Sequence, residues 1–311
     1  MLETNKTTVK YFILLAFADL NQFQNILVFV FLLTYITCIM GNVAIIVLVR
    51  VDPSLHTVMY FFISVFAILE IVLVTVSVPK LLANLISANN VISFTDCFTQ
   101  MYIFLSLGAT ECYLLVVMVF DRHLAINNPL HYQAIMTPTF CIKLALLPWI
   151  IGFAIIFVPV IITVHLDFCG PNEIDHFICD LAPLQNLACS DPFISNISTS
   201  AVALLNGALT FITIIGFYIR IIMMVSKIKS EKGKQKAFST CTSHLIIATL
   251  FYGTGTIVYV KPKGSHYDKY IAFMYTAFTP MINPFIYTFR NRDVKKALKN
   301  SINHLINIVS M

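Results

Sequence analysis

Charge is what this chain has least of. Only 11% of its 311 residues are Asp, Glu, Lys or Arg, against roughly 25% in a soluble domain. With 58% hydrophobic residues and a mean hydropathy of +0.84, the scarcity of charge excludes an ordinary soluble domain and points to a bilayer. Internal repeats, low-complexity tracts and a soluble second domain are also missing. So are enzyme motifs: there is no HExxH and no GxSxG elbow. The glycine-bearing stretch Tyr252-Gly253-Thr254-Gly255-Thr256 sits inside an apolar run, with no strand before it and no lysine to hold a phosphate. Neither an enzyme nor a cofactor is expected. The N-terminal YFILLAF is short and lacks the basic n-region and small-residue cleavage site of a signal peptide. The first long apolar run is therefore expected to serve as an uncleaved anchor.

What the chain does have is seven long apolar runs, near 24–49, 57–80, 98–120, 140–164, 197–225, 237–260 and 270–289. Each is about 20 residues or longer, enough for a helix to cross a ~30 Å hydrocarbon core. Lipid supplies no hydrogen-bond partners, so such runs fold as helices and not as open strands. Prolines 79, 148, 159, 280 and 284 fall in or near them. In water they would argue against helix, but in a bundle neighbouring helices re-satisfy the freed carbonyls. The reading is an all-α membrane protein: one seven-transmembrane helix bundle over 1–311, with residues 1–23 and 290–311 as its tails. After Arg290, Val294, Leu298, Ile302 and Leu305 recur on one helical face. That pattern suits a short amphipathic helix lying on the inner leaflet. No cysteine follows Cys241, so this helix has no palmitoylation site.

Basic residues set the orientation. The segments after runs 1, 3 and 5 and the C-terminal tail hold Arg50, Arg122, Lys143, five lysines between 227 and 236, and a basic series from Arg290 to Lys299. Segment 165–196 holds no Lys or Arg but carries Asp167, Glu173, Asp175, Asp180 and Asp191. The positive-inside rule then puts the N-terminus outside and the tail in the cytosol. The net basic charge reads as orientation and contact with anionic lipid; no nucleic-acid partner is expected. Asn5-Lys6-Thr7 is a glycosylation sequon on the outer side. Asn196-Ile197-Ser198 also matches but lies at the mouth of run 5, too near the membrane to be modified.

Eight cysteines divide by side. Cys38, Cys112, Cys141 and Cys241 fall in the runs or at their cytosolic ends and read as small buried thiols. Cys97, Cys169, Cys179 and Cys189 lie on the outer side, where disulfides persist. Four cysteines allow three pairings, and spacing alone does not choose among them. His165 and His176 lie close by and raise a metal site, which disulfides would pre-empt by consuming the thiolates.

Two acids lie inside the membrane. Glu70 is about 13 residues into run 2 and Glu111 about 13 into run 3. In antiparallel helices both stand roughly 20 Å from their own ends, near mid-depth. A charge there costs about 2.5–3.5 kcal/mol on insertion scales, and two adjacent carboxylates do not both ionise cheaply. Either a proton stays on one, as a hydrogen-bonded link between helices, or a cation such as sodium sits between them. Lysine is missing from the interior of run 7, which excludes a retinal Schiff base. Run 3 has no Asp in its outer half, which argues against a receptor for cationic amines.

A third feature is MVFDRHLAINNPLHY, residues 118–132, where a run built for lipid ends on Asp121-Arg122. It is similar to the MAYDRYVAICNPLHY of vertebrate olfactory receptors, a branch of the rhodopsin-class G-protein-coupled receptors. Met59-Tyr60-Phe61-Phe62 resembles that family's PMYFF. KAFSTCTSHL at 236–245 and PMINPFIY at 280–287 match it almost letter for letter. Gly41-Asn42, Trp149 and Tyr218 fall where the family has them, and the stretch 108–113 looks most like family six, subfamily C. The likeness covers nearly the whole chain. Departures are Phe120 and His123 around the Asp-Arg pair, Asn127 in place of the usual Cys, and Val58 where Pro is common.

The resemblance implies roles. Arg122 would be held by Asp121 at rest and released toward a G-protein on activation. Tyr218, His244, Asn283, Pro284 and Tyr287 would belong to the same coupling machinery. Cys97 would pair with Cys179, and Cys169 with Cys189. The ligand pocket would occupy the outer half of helices 3, 5, 6 and 7. Helical spacing then puts Phe104, Leu105, Gly108, Ala109 and Cys112 on one face of helix 3. Val202, Ala203 and Asn206 share a face of helix 5; Tyr252, Gly255, Thr256 and Tyr259 share one of helix 6. For the apolar members plain helix packing is the competing reading.

The function so read is a plasma-membrane odorant receptor that binds small, mostly apolar neutral molecules and raises cAMP through a stimulatory G-protein. A same-family receptor for an endogenous metabolite outside the nose is one alternative. A channel or transporter using Glu70 and Glu111 as an ion path is another, but it would bring the repeat symmetry and paired broken helices that this sequence lacks.

Overall fold

The computed structural model describes residues 9–87, 89–227, 245–253, 268–290 and 294–300, with 230, 234 and 242 as isolated positions. Five helices among them are long and apolar enough to cross a membrane. They include α1 (Gln24–Val51), α2 (Val58–Ser87), α3 (Phe94–Asn127) and α4 (Pro138–Val164). The fifth is α5 (Phe193–Ser226). Residues 245–253 form a piece of α6; α7 runs from 268 to 290, and 294–300 form α8. α3 is central, packing against α2, α4 and α5, while α1 packs on α2 and α7.

Several helices outrun the apolar segments that announce them, because polar caps start them early. Ser93 Oγ accepts the Asp96 N–H at 3.0 Å and begins α3 four residues before position 98. Thr137 caps α4 in the same way, with Pro138 in the first turn, where its missing N–H costs nothing. In α8, Val294 and Ala297 are buried in the main core with Leu298 packed against it, so this part of its apolar face docks on the bundle. Ile302 and Leu305 lie outside the described residues.

A small sheet adds to the all-α expectation. β1 (Tyr11–Leu14) pairs antiparallel with β2 (Val91–Ser93) and parallel with β3 (Glu173–Ile174). Alternation drives the insertion of β1: Phe12 and Leu14 are buried while Tyr11 is exposed. Phe12 meets Phe94, Phe98 and Phe168. Phe17, just beyond, packs on Phe31, Phe177 and Tyr270. The Lys269 ammonium donates to Asp19 at 2.8 Å and to Asp175 at 2.9 Å, joining this segment, the 165–192 loop and the start of α7. The loop carries both disulfides, Cys97–Cys179 and Cys169–Cys189, the pairs that the family resemblance implies. This end of the bundle is capped; Asp121 and Arg122 lie at the other.

Gly152 sets the approach of α4 to α3. A Cβ at Gly152 would stand 2.5 Å from Thr110 Oγ1 and 2.8 Å from the Thr110 backbone N. Only glycine lets α4 come this near α3. Gly152→Val is therefore expected to abolish surface delivery, and Gly152→Ala to reduce it several-fold, as read by surface immunostaining. Wild-type delivery of the valine variant would contradict this packing.

Candidate functional site

The candidate site divides into three parts along the bundle axis. The first lies between α3, α5 and α6. Phe104, Cys112 and Tyr252 are buried in the main core. Ala109 lies in the adjoining core, with Leu105 and Val202 packed against it. The Tyr252 hydroxyl donates to Thr210 Oγ1 at 2.8 Å and lies 3.5 Å from the Cys112 carbonyl, so α6, α5 and α3 meet at one point. Beside it Gly108 is half-buried, yet a Cβ there would find no heavy atom within 4 Å. Open space thus borders the face shared by Phe104, Leu105 and Cys112.

α5 widens into a turn of π geometry over Leu204–Leu209, next to the half-buried Ala203. Such single-turn bulges re-aim side chains and concentrate at functional sites. Here the bulge carries Asn206, 8% exposed, whose Oδ1 is buried with no hydrogen-bond partner. α7 has a second π turn over Met274–Phe278. Gly255, Thr256 and Tyr259 lie outside the described residues, as do His244 and Asn5.

The second part is a buried polar node among α1, α2, α3 and α7. Pro284 has no N–H to offer the carbonyl of Pro280, one turn earlier. Asn42 Nδ2 reaches that carbonyl at 3.5 Å and the Cys38 carbonyl at 3.1 Å. Gly41 permits the approach, since a Cβ there would lie 3.0 Å from the Pro284 ring. The neighbouring Gly41-Asn42 pair therefore serves one helix crossing. Asn283 donates to Glu70 Oε1. Glu70 Oε2, Glu111 Oε1 and Asn283 Oδ1 are buried without partners. Acceptors cannot satisfy one another, so protons, water or a cation must stand among them. Among the described residues no group of three or more His, Cys, Asp or Glu forms a metal cluster.

The third part is the far end of α3. Arg122 Nε donates to Asp121 Oδ2 at 2.8 Å, and Nη2 reaches the same oxygen. The Asp121 side chain is 1% exposed and that of Arg122 15%. Sequence reading missed Tyr132, whose hydroxyl donates to Asp121 Oδ1 at 2.5 Å. Burial first, and then this hydrogen bond, push the Tyr132 phenol above its ordinary range. The carboxylate is thus held on both oxygens, one by each neighbour. His123, half-buried, and Phe120 pack against Phe217 of α5. Tyr218 is buried in the core beside them. Tyr287 lies in α7, within Thr279–Arg290.

A helix bundle with an acid–base pair at one end, a disulfide-tied cap at the other and a polar node between them has the form of a membrane receptor. Comparison with known proteins makes the assignment specific. The family profile described as "Olfactory receptor" matches residues 31–304. The chain is 41% identical to human "Olfactory receptor 6N1" over 304 residues, 97% of each chain. It is 44% identical to human "Olfactory receptor 11H4", over 94% of this chain and 91% of the relative. With mouse "Olfactory receptor 1M1" it shares 42%, over 98% and 99%. The chain belongs to the olfactory receptor family, whose members are seven-helix G-protein-coupled receptors and not enzymes. Relatives numbered 6, 11 and 1 match within a few per cent of one another, so the comparisons do not single out family six, subfamily C.

Proposed function

We propose that this protein is an odorant receptor, one domain across the chain, that takes a small, mostly apolar, neutral ligand beside Gly108. Ligand binding releases Arg122 and activates a stimulatory G-protein, raising cAMP. Two observations support the ligand class: the open space at Gly108 and the buried, unpartnered Oδ1 of Asn206 on α5. The surrounding Phe104, Leu105, Ala109, Cys112 and Val202 carry no charge. An unpaired ammonium or carboxylate buried among them would cost several kcal/mol, whereas each buried CH₂ gains about 0.8 kcal/mol. The amide of Asn206 supplies the orienting hydrogen bond, Oδ1 accepting from an alcohol or Nδ2 donating to the carbonyl of a ketone, aldehyde or ester.

In this reading the capped end faces outward and α8 faces the cytosol, which puts the Asn5 sequon on the outer side of the membrane. The exposed Lys295, Lys296 and Lys299 on α8 and the acidic 165–196 segment support that sense. Glu70 and Glu111 hold a shared proton or a sodium ion with water. The unpartnered oxygens fit either occupant.

The test is a panel of matched-length alcohols, ketones, amines and acids on cells expressing the receptor. Neutral compounds are expected to be agonists. Gly108→Leu should shift their size limit downward by two or three carbons, and Asn206→Leu should cost about tenfold in potency. Both variants should retain surface delivery. Agonism confined to amines or acids would overturn the ligand class, and an unchanged ranking in both variants would overturn the site.

A further inference from the structure

At the capped end, between α2 and α3 and under β2, lies a cleft of about 380 Å³ that does not include Gly108 in its lining. Lys80, Ser93, Asp96, Thr99 and Gln100 give it polar lining, Val91 and Ile92 of β2 are apolar, and Val76 and Ile103 are the apolar lining residues farthest along α2 and α3 from the capped end. Val76 lies one helical turn below Lys80 and Ile103 one turn below Thr99, so along these helices the change from polar to apolar takes about 6 Å. Small-molecule sites occupy roughly 300–1,000 Å³, so the cleft can hold a compact polar group but not a whole lipid.

The two charges in the lining are held apart. Lys80 Nζ donates to the Val91 carbonyl at 2.9 Å, which uses one of its three hydrogens and leaves two. Asp96 accepts from Ser93 Oγ at 2.7 Å on Oδ2. No ion pair joins Lys80 to Asp96. Gln100 closes the inner wall, fixed by bonds to the Val76 carbonyl at 3.2 Å and from the Cys179 N–H at 3.3 Å. Lys80 and Glu70 are the only charges on α2, and a cation on a spanning helix calls for a counter-charge at membrane level.

We propose that this cleft seats the headgroup of a zwitterionic phospholipid from the leaflet at the capped end. Its phosphate meets Lys80 and its ammonium meets Asp96, while the glycerol and first acyl carbons lie on Val76 and Ile103. An anionic headgroup would place its uncompensated charge against Asp96. A free water-soluble zwitterion would leave Val76 and Ile103 uncovered. The proposal rests on the membrane-receptor reading but not on the odorant chamber.

The experiment uses full-length receptor in phosphatidylglycerol nanodiscs doped with photoactivatable phosphatidylcholine, without agonist or G-protein. Labelled peptides are located by mass spectrometry. Labelling is expected on 76–80 and 91–103, competed by unlabelled phosphatidylcholine but not by added phosphatidylglycerol or soluble phosphocholine. Lys80→Gln and Asp96→Asn should each lower it at least fivefold. Thr99→Trp, which fills the cleft and keeps both charges, should do the same. An intact Cys97–Cys179 linkage reports folding of each variant. Undiminished labelling in folded Thr99→Trp, or equal competition by phosphatidylglycerol or phosphocholine, would overturn the proposal. Because no agonist is present, its failure leaves the odorant reading intact, and failure of the ligand panel leaves this one intact.

Discussion

Arg122→Ala is expected to abolish the agonist-evoked cAMP response while leaving surface delivery within about twofold of wild type. Among the described residues the guanidinium bonds to its neighbour Asp121, through one carboxylate oxygen. When Arg122 is removed the Asp121 carboxylate keeps the Tyr132 hydroxyl as a hydrogen-bond partner, so it is not left buried without one. Asp121 itself is buried and held by both neighbours. Tyr132→Phe removes one of its two holds and should loosen the resting arrangement, raising ligand-free cAMP two- to fivefold. Paired cAMP and surface-staining assays check both variants. A wild-type response from Arg122→Ala would remove the arginine from the coupling step.

The second large effect is at the cap. Cys97→Ser and Cys179→Ser are each expected to reduce surface delivery at least tenfold, with the double variant no worse than either single one. The disulfide joins residues 82 apart, a closure that contributes roughly 4.5 kcal/mol on chain-entropy arithmetic. The Cys169–Cys189 bridge spans 20, roughly 3 kcal/mol on the same arithmetic, so its loss should be milder. Cys97 and Cys179 also lie in the core that holds Phe12, Leu14 and Phe168. Losing the bond therefore loosens β1 and the loop together. Coupled partners are non-additive, and an additive double variant would mean that the two cysteines act separately.

The helices were legible in the sequence because lipid leaves an apolar run of about 20 residues no other backbone structure. Glu70, Glu111 and the Asp121-Arg122 pair stood out for the same reason, as charges where charges are rare. The cap was not legible. Tyr11–Leu14 is too short to announce a strand, and its partners at 91–93 and 173–174 are distant in the chain. Nor does sequence spacing reveal that Lys269 reaches Asp19 and Asp175. Tyr132 was hidden because its bond depends on the turn after Asn127. One signal was available and unused: Pro284 must orphan the carbonyl of residue 280, and Asn42 was the polar residue next to a glycine on a lipid-spanning helix. For the proposed ligand site, periodicity selected one face of α3. It could not distinguish Phe104, packed in the core, from Gly108, beside open space.

The most direct test of the account is cAMP in cells lacking the stimulatory Gα subunit, expressing the receptor and challenged with a neutral agonist from the panel. The account predicts no response until the subunit is resupplied, then a dose-dependent rise that Arg122→Ala eliminates. A full response without the subunit, or an agonist-evoked ion current in its place, would contradict it.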